Sequence, residues 1–203
     1  MKNLVPHALA IAAVAAMTVP TASHAQGFIE DSKASVTFRN YYFDRNYVGT
    51  TPQAAAREWA QGAIAKFTSG FTPGAVGFGL DATGMLGIKL DSSSDRSGTG
   101  LLPRNAATGE AADEYSELGL TAKVKVSNTE LQYGTISTFL PIAFASPTRL
   151  LPQTFRGGYL RSTDIPDISL HLGRLDRINY RDSTDYQRMG VASPNRRFNP
   201  AAQ

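Results

Sequence analysis

The sequence predicts an all-β chain, a transmembrane antiparallel β-barrel that follows a cleaved signal peptide. Three observations point there. From Lys33 onward, polar and apolar residues alternate with period two rather than 3.6. The connections between the alternating stretches are by turns long and short, which is the bacterial outer-membrane arrangement of periplasmic turns and longer outer loops. Tyr41, Tyr42 and Phe43 end the first stretch where Trp59 begins the second, at the height expected of an interfacial aromatic girdle. Ordinary core aromatics are the alternative reading of that cluster.

The elements follow in order. Met1–Ala25 reads as a secretory signal, with Lys2 as the positive start, Ala8–Met17 as the apolar stretch and Ser23-His24-Ala25 as the small-x-small cleavage site. A short buried N-terminal helix is the competing reading. Cleavage after Ala25 makes Gln26 the first mature residue, so the domains are 1–25, signal peptide, and 26–203, barrel. Lys33–Tyr42 sets Ala34, Val36 and Phe38 against Lys33, Ser35, Thr37 and Arg39. Ala75–Lys89 opposes Val76, Phe78, Leu80, Ala82, Leu86 and Ile88 to Gly77, Gly79, Asp81, Thr83 and Lys89. Glu117–Val126 places Leu118, Leu120, Ala122, Val124 and Val126 on one face. Ile168, Leu170 and Leu172 alternate with Ser169, His171 and Gly173. Arg57–Phe71, Thr129–Ile136 and Thr154–Ser162 are weaker strands.

The connections alternate along the whole chain. Asp44–Ala56, Asp91–Tyr115, Ser137–Gln153 and Arg181 onward are long; Thr72-Pro73-Gly74, Ser127-Asn128 and Thr163–Asp167 are short. About seven strands result. Bacterial single-chain barrels have an even number, and an open sheet in lipid leaves costly unpaired edges. The expectation is therefore the N-terminal part of a longer barrel.

Composition removes other classes. Among 203 residues there is no cysteine, and His7, His24 and His171 are the only histidines, so zinc fingers, disulfide frameworks and thiol catalysis are excluded. Ser169, His171 and Asp176 can be picked out as a hydrolytic set, but strand spacing gives them no shared geometry. Gly77-Phe78-Gly79 lies within a strand, not before a helix, and is no nucleotide loop. No enzyme activity, cofactor or metal is expected. The net charge of +3 is too small, beside a secretion signal, to argue for nucleic acid.

Several segments resemble the OprD family of substrate-specific outer-membrane porins: Phe28-Ile29-Glu30-Asp31-Ser32-Lys33-Ala34-Ser35, Glu58-Trp59-Ala60-Gln61-Gly62, Leu86-Gly87-Ile88-Lys89-Leu90-Asp91, Ser97-Gly98-Thr99-Gly100-Leu101-Leu102-Pro103 and Leu150-Leu151-Pro152-Gln153-Thr154-Phe155-Arg156-Gly157. The resemblance runs along nearly all of the mature chain. It implies a barrel of about 18 strands and about twice this length. It further implies a narrow channel lined by basic residues, constricted by an inward third loop and selective for solutes bearing a carboxylate. The partners it implies are outer-membrane lipid, lipopolysaccharide and small carboxylate solutes; a homo-oligomer is compatible with it. A non-selective structural barrel or an adhesin is the alternative within the same fold, and a secreted β-sandwich a more distant one.

Strand parity names the candidate channel residues independently. With Val36, Phe38, Leu118, Leu120 and Val124 toward lipid, Arg39, Lys123 and Lys125 face the lumen. Parity carried forward from Leu172 points Arg177, Asn179 and Arg181 the same way, unless a bulge intervenes. From Arg149 to Arg197 there are nine arginines and no lysine, and arginine offers carboxylates a planar fork that lysine lacks. Pairing with wall aspartates is the bland alternative for any one of them. Ser137–Gln153 is too apolar for a solvated loop and is the candidate constriction, flanked by Arg149 and Arg156; a cap over the barrel mouth is the other reading. Asp91–Glu114, rich in Ser, Gly, Asp and Ala, reads as a solvated surface loop.

Overall fold

A computed structural model describes residues 27–49, 52–141, 143–192 and 198–200. The signal segment and its cleavage site lie outside these. The strands are β1 (Lys33–Asn46), β2 (Ala55–Thr68), β3 (Gly77–Asp91), β4 (Glu114–Val126), β5 (Thr129–Ile136), β6 (Phe139–Leu140), β7 (Ala143–Phe144), β8 (Thr154–Ser162), β9 (Leu170–Asn179), β10 (Tyr186–Arg188), β11 (Gly190–Ala192) and β12 (Phe198–Pro200). The main sheet is antiparallel, in the order β1-β2-β3-β4-β5-β8-β9-β10, and is not closed among the described residues. β6–β7 and β11–β12 are separate two-stranded hairpins.

The period-two pattern sorts side chains onto two faces. On the convex face Val36, Phe38, Leu118, Leu120 and Tyr133 are exposed, Phe38 and Leu118 to 73% each. An apolar face so bare is what a lipid-facing wall requires. On the concave face of β2, β3 and β4, Ala60, Ile64, Met85 and Tyr115 are buried, although among the described residues no second sheet packs on them.

Two connections cover that face instead. Leu101 and Leu102 from residues 92–113, and Leu150 and Leu151 from residues 137–153, pack with Ala60, Ile64, Met85 and Tyr115 into one core. Both pairs precede a proline, in Leu101-Leu102-Pro103 and Leu150-Leu151-Pro152. The Asp91–Glu114 segment is therefore not a solvated loop: Ser97, Thr99, Leu101 and Leu102 are all buried. It is anchored at its base by the buried Glu58 carboxylate, which accepts from the Thr99 amide (2.8 Å), the Thr99 hydroxyl and the Ser92 hydroxyl (3.1 Å).

The far side of the sheet turns inward. β4 and β5 pair from Val126↔Thr129 only as far as Thr121↔Gly134. Gly134 has φ +135°, and a Cβ there would stand 2.2 Å from the Leu120 carbonyl oxygen, so only glycine fits. The register of β8 against β9 shifts between Arg156 and Gly157, leaving Asp176 unpaired in a bulge. Beyond these irregularities the ends of β5, β8, β9 and β10 lie over the concave face of β4. Thr135 packs on Gly119, and the Tyr115 hydroxyl lies 2.8 Å from the Leu101 carbonyl and 3.0 Å from the Arg181 carbonyl. Phe155 and Ile178 form a second core with Ala143 and Ala145 of the β6–β7 segment.

Three further expectations need correction. Tyr42 and Trp59 are register partners on the convex face, but Tyr41 and Phe43 point inward and pack on the first core. The connection after β9 is not long, because β10 resumes at Tyr186 and makes eight strands in the main sheet. Arg181 is not a strand residue, since β9 ends at Asn179.

Candidate functional site

The concave face is built by strand parity, so its cations can be followed along the register. Near the short turns, Lys123 is almost fully buried. Its ammonium lies 2.6 Å from Asp81, 2.9 Å from the Ser69 carbonyl and 4.9 Å above the Phe71 ring. The charge is present but matched. Lys125, one pleat further, is exposed and sits 5.5 Å from the same ring.

Along β1 the inward residues Arg39, Tyr41 and Phe43 form a seat for residues 147–150. The Arg39 guanidinium donates to the carbonyls of Pro147 (3.3 Å), Arg149 (3.1 Å) and Leu150 (3.5 Å), and the Tyr41 hydroxyl donates to that of Thr148 (3.1 Å). Phe43 lies between two guanidiniums, Arg149 at 5.0 Å and Arg45 at 5.1 Å. All three contacts are made by one terminal nitrogen, Nη1, on which the carbonyls converge. Arg39 thus faces inward, with that end of its guanidinium committed to the loop. Gly62 leaves room for Leu150, whose side chain would stand 3.1 Å from a Cβ there.

Opposite the seat is a carboxylate hub. Glu117 of β4 accepts from the Thr154 hydroxyl (2.5 Å), the Tyr186 hydroxyl (2.5 Å) and the Asn179 amide (2.7 Å). Thr154, Asn179 and Tyr186 are two residues from Arg156, Arg177 and Arg188, so these arginines share their face. Arg156↔Arg177 and Arg177↔Arg188 are register partners, which sets three arginines side by side across β8, β9 and β10. The Arg156 guanidinium lies 4.4 Å above the Tyr186 ring. None of the three forms an ion pair with a described residue.

The remaining candidates separate. Arg181 sits in the turn after β9, where its carbonyl faces Tyr115. Ser169 and His171 do meet (Oγ to Nε2, 2.9 Å), but the other ring nitrogen is held by the Tyr159 hydroxyl at 2.6 Å, not by Asp176. Among the described residues no metal-binding group of His, Asp or Glu is gathered. Sequence reasoning missed Glu117, Tyr186 and Arg188 as site residues. Arg188 was within reach as one of the nine arginines; Glu117 and Tyr186 meet only through a sheet distortion that no local pattern announces.

Known proteins resemble this chain in sequence and fold. A sequence model described as outer membrane porin, OprD family, matches residues 26–201. The porin-like protein GalP of Pseudomonas putida is 42% identical over 176 residues, covering 87% of this chain and 43% of GalP. The crystal structure of Pseudomonas aeruginosa OccK9 (OpdG) matches with a TM-score of 0.81 and 45% identity, over 86% of this chain and 45% of that one. That of Pseudomonas aeruginosa OpdK with vanillate gives 0.72 and 45%, over 79% and 40%. The chain spans less than half the length of each of these relatives.

Proposed function

Because this chain belongs to the OprD family of outer-membrane porins, we propose that it supplies one wall and the constriction of a channel admitting small solutes that bear a carboxylate, such as amino acids and small organic acids. OprD-family porins are channels and not enzymes, so the residues act by attraction and exclusion. The observation that carries the reading is the row Arg156–Arg177–Arg188 on the face turned over β4, with no described carboxylate within ion-pair distance. A guanidinium keeps its charge at any physiological pH and grips a carboxylate through two parallel hydrogen bonds. The two Leu-Leu-Pro segments support the same reading, because they fill part of the concave side and narrow what is left. Vanillate, the compound in the OpdK structure, is itself a carboxylate.

Lys125 and Arg149 extend the track beyond the row, while Arg39 holds the constriction and Lys123 braces the wall. The convex face meets outer-membrane lipid, and lipopolysaccharide surrounds the outer rim. Residues 1–25 act as the export signal, and the mature chain begins at Gln26; N-terminal sequencing of outer-membrane protein tests that.

The channel reading is tested in planar bilayers with the native porin. Neutralising Arg156 and Arg177 together should move the reversal potential toward cation selectivity and lower the uptake of carboxylates. Unchanged selectivity and uptake would leave a non-selective barrel as the reading.

A further inference from the structure

We infer that the arginine row distinguishes solutes by the number and spacing of their carboxylates, and favours those with two carboxylates about one strand spacing apart; this rests on the channel reading above. Residues directly opposite on neighbouring strands have Cβ atoms about 4.5–5.5 Å apart, and like charges so placed destabilise the sheet. Here that juxtaposition occurs twice in succession, at Arg156↔Arg177 and Arg177↔Arg188. The Glu117 carboxylate, reached by Thr154, Asn179 and Tyr186 of the same face, does not relieve it. Glu117 points its oxygens at Thr154, Asn179 and Tyr186, three neutral donors, and leaves the arginines alone. Arg156 has only the Tyr186 ring beneath it. The unmatched charge is therefore available to a passing anion.

One carboxylate engages one guanidinium in a fork. A second carboxylate about 5 Å away meets the neighbouring guanidinium without either side chain leaving its strand position. Glutarate, with three methylenes between its carboxyl groups, has that spacing in its extended form (about 5 Å from standard bond lengths). Valerate has the same chain with one carboxylate. Oxalate has two carboxylates joined directly, so it carries the charge without the span.

The test measures permeation of glutarate, oxalate and valerate through the native porin in planar bilayers, for the parent and for Arg177→Gln at the centre of the row. The expected result is a two- to fivefold loss for glutarate, about what one exposed charge pair supports, with clearly smaller losses for oxalate and valerate. Arg177→Lys should restore part of the glutarate rate. Equal losses for all three anions overturn the spacing inference and leave the carboxylate channel standing. No loss for any of them overturns both. Heat-modifiable migration on gels checks that each variant is folded, and Arg188→Gln, at the edge of the row, replaces Arg177→Gln if that variant does not assemble.

Discussion

The Glu117 carboxylate and the Tyr186 hydroxyl are 2.5 Å apart although 69 residues separate them in the chain. The contact ties the last strand of the main sheet to the concave face of β4, and with Thr154 and Asn179 it holds the inward turn of β8 and β9 in place.

Glu117→Ala should be far more damaging than Tyr186→Phe. The first leaves three donors without their acceptor, at about 1–3 kcal/mol for each one that water cannot reach. The second removes the hydroxyl's contacts with Glu117, Thr135 and Thr154, but leaves Glu117 its bonds from Thr154 and Asn179 and keeps the ring under Arg156. In single-channel recordings of the native porin, Glu117→Ala is expected to give noisy, unstable conductance, and Tyr186→Phe a nearly normal trace. Equal behaviour of the two would show that the hub does not hold the constriction.

Arg39→Ala should free residues 147–150 from β1 and raise the open-channel conductance, with added flicker. Tyr41→Phe removes only the bond to the Thr148 carbonyl, worth roughly 0.5–1.5 kcal/mol, and should act weakly in the same direction. Arg39→Lys should stay closer to the parent than Arg39→Ala, because the carbonyls converge on one nitrogen and an ammonium carries three donors. A conductance lowered by Arg39→Ala, together with lost anion preference, would instead mark Arg39 as part of the solute track.

Lys123 was read from parity as a channel-lining charge, and it does lie on the concave face. Its ion pair with Asp81 changes the expected outcome of mutation. Lys123→Met alone leaves a carboxylate without its partner and should cost roughly 3–5 kcal/mol in chemical denaturation. The double variant Lys123→Met with Asp81→Leu should recover most of that loss, with ion selectivity close to that of the parent. Failure of the double variant to recover would mean that the pair is not the main constraint at this site.

How far the sequence could be read depends on where burial is one-sided. In β1, β3 and β4 one face carries a run of apolar residues, so alternation alone assigns Phe38, Leu80 and Leu118 to the convex side. Beyond Leu172 parity crosses the bulge at Asp176, and a residue inserted in one strand is invisible to a period-two pattern. Arg177 still shares the face of Asn179, but Arg181 has left the strand. The Asp91–Glu114 segment misled through its composition: small polar residues dominate it, yet Leu101 and Leu102 decide where it packs. The repeated Leu-Leu-Pro was the available signal.

Asp164 offers a pH test away from the membrane-spanning strands. Hydrogen bonds from Thr129 first, then Ser127 and the Asn128 amide, hold its carboxyl down at about 2. A depressed carboxylate stabilises the fold above its unfolded value and loses that contribution as pH falls toward the folded one. The turn at 127–128 and the connection at 163–169 should therefore loosen between about pH 4 and pH 2, seen as a loss of protection at the Asn128 amide relative to the free-chain rate at the same pH. In Asp164→Asn that protection should already be low at neutral pH and change little over this window. Slow exchange in this variant at neutral pH would remove Asp164 from the account.

Surface loops ordinarily accept insertions and deletions, because nothing depends on their length. The leucine pairs at 101–102 and 150–151 interlock against the same wall, so each segment must arrive there after a set number of residues from its own strand. Lengthening or shortening either one would shift a leucine out of its socket and alter the bore. Variation in this part of the molecule should thus be confined to substitution, and exposed tips such as residues 106–108 are where length can change without changing what passes.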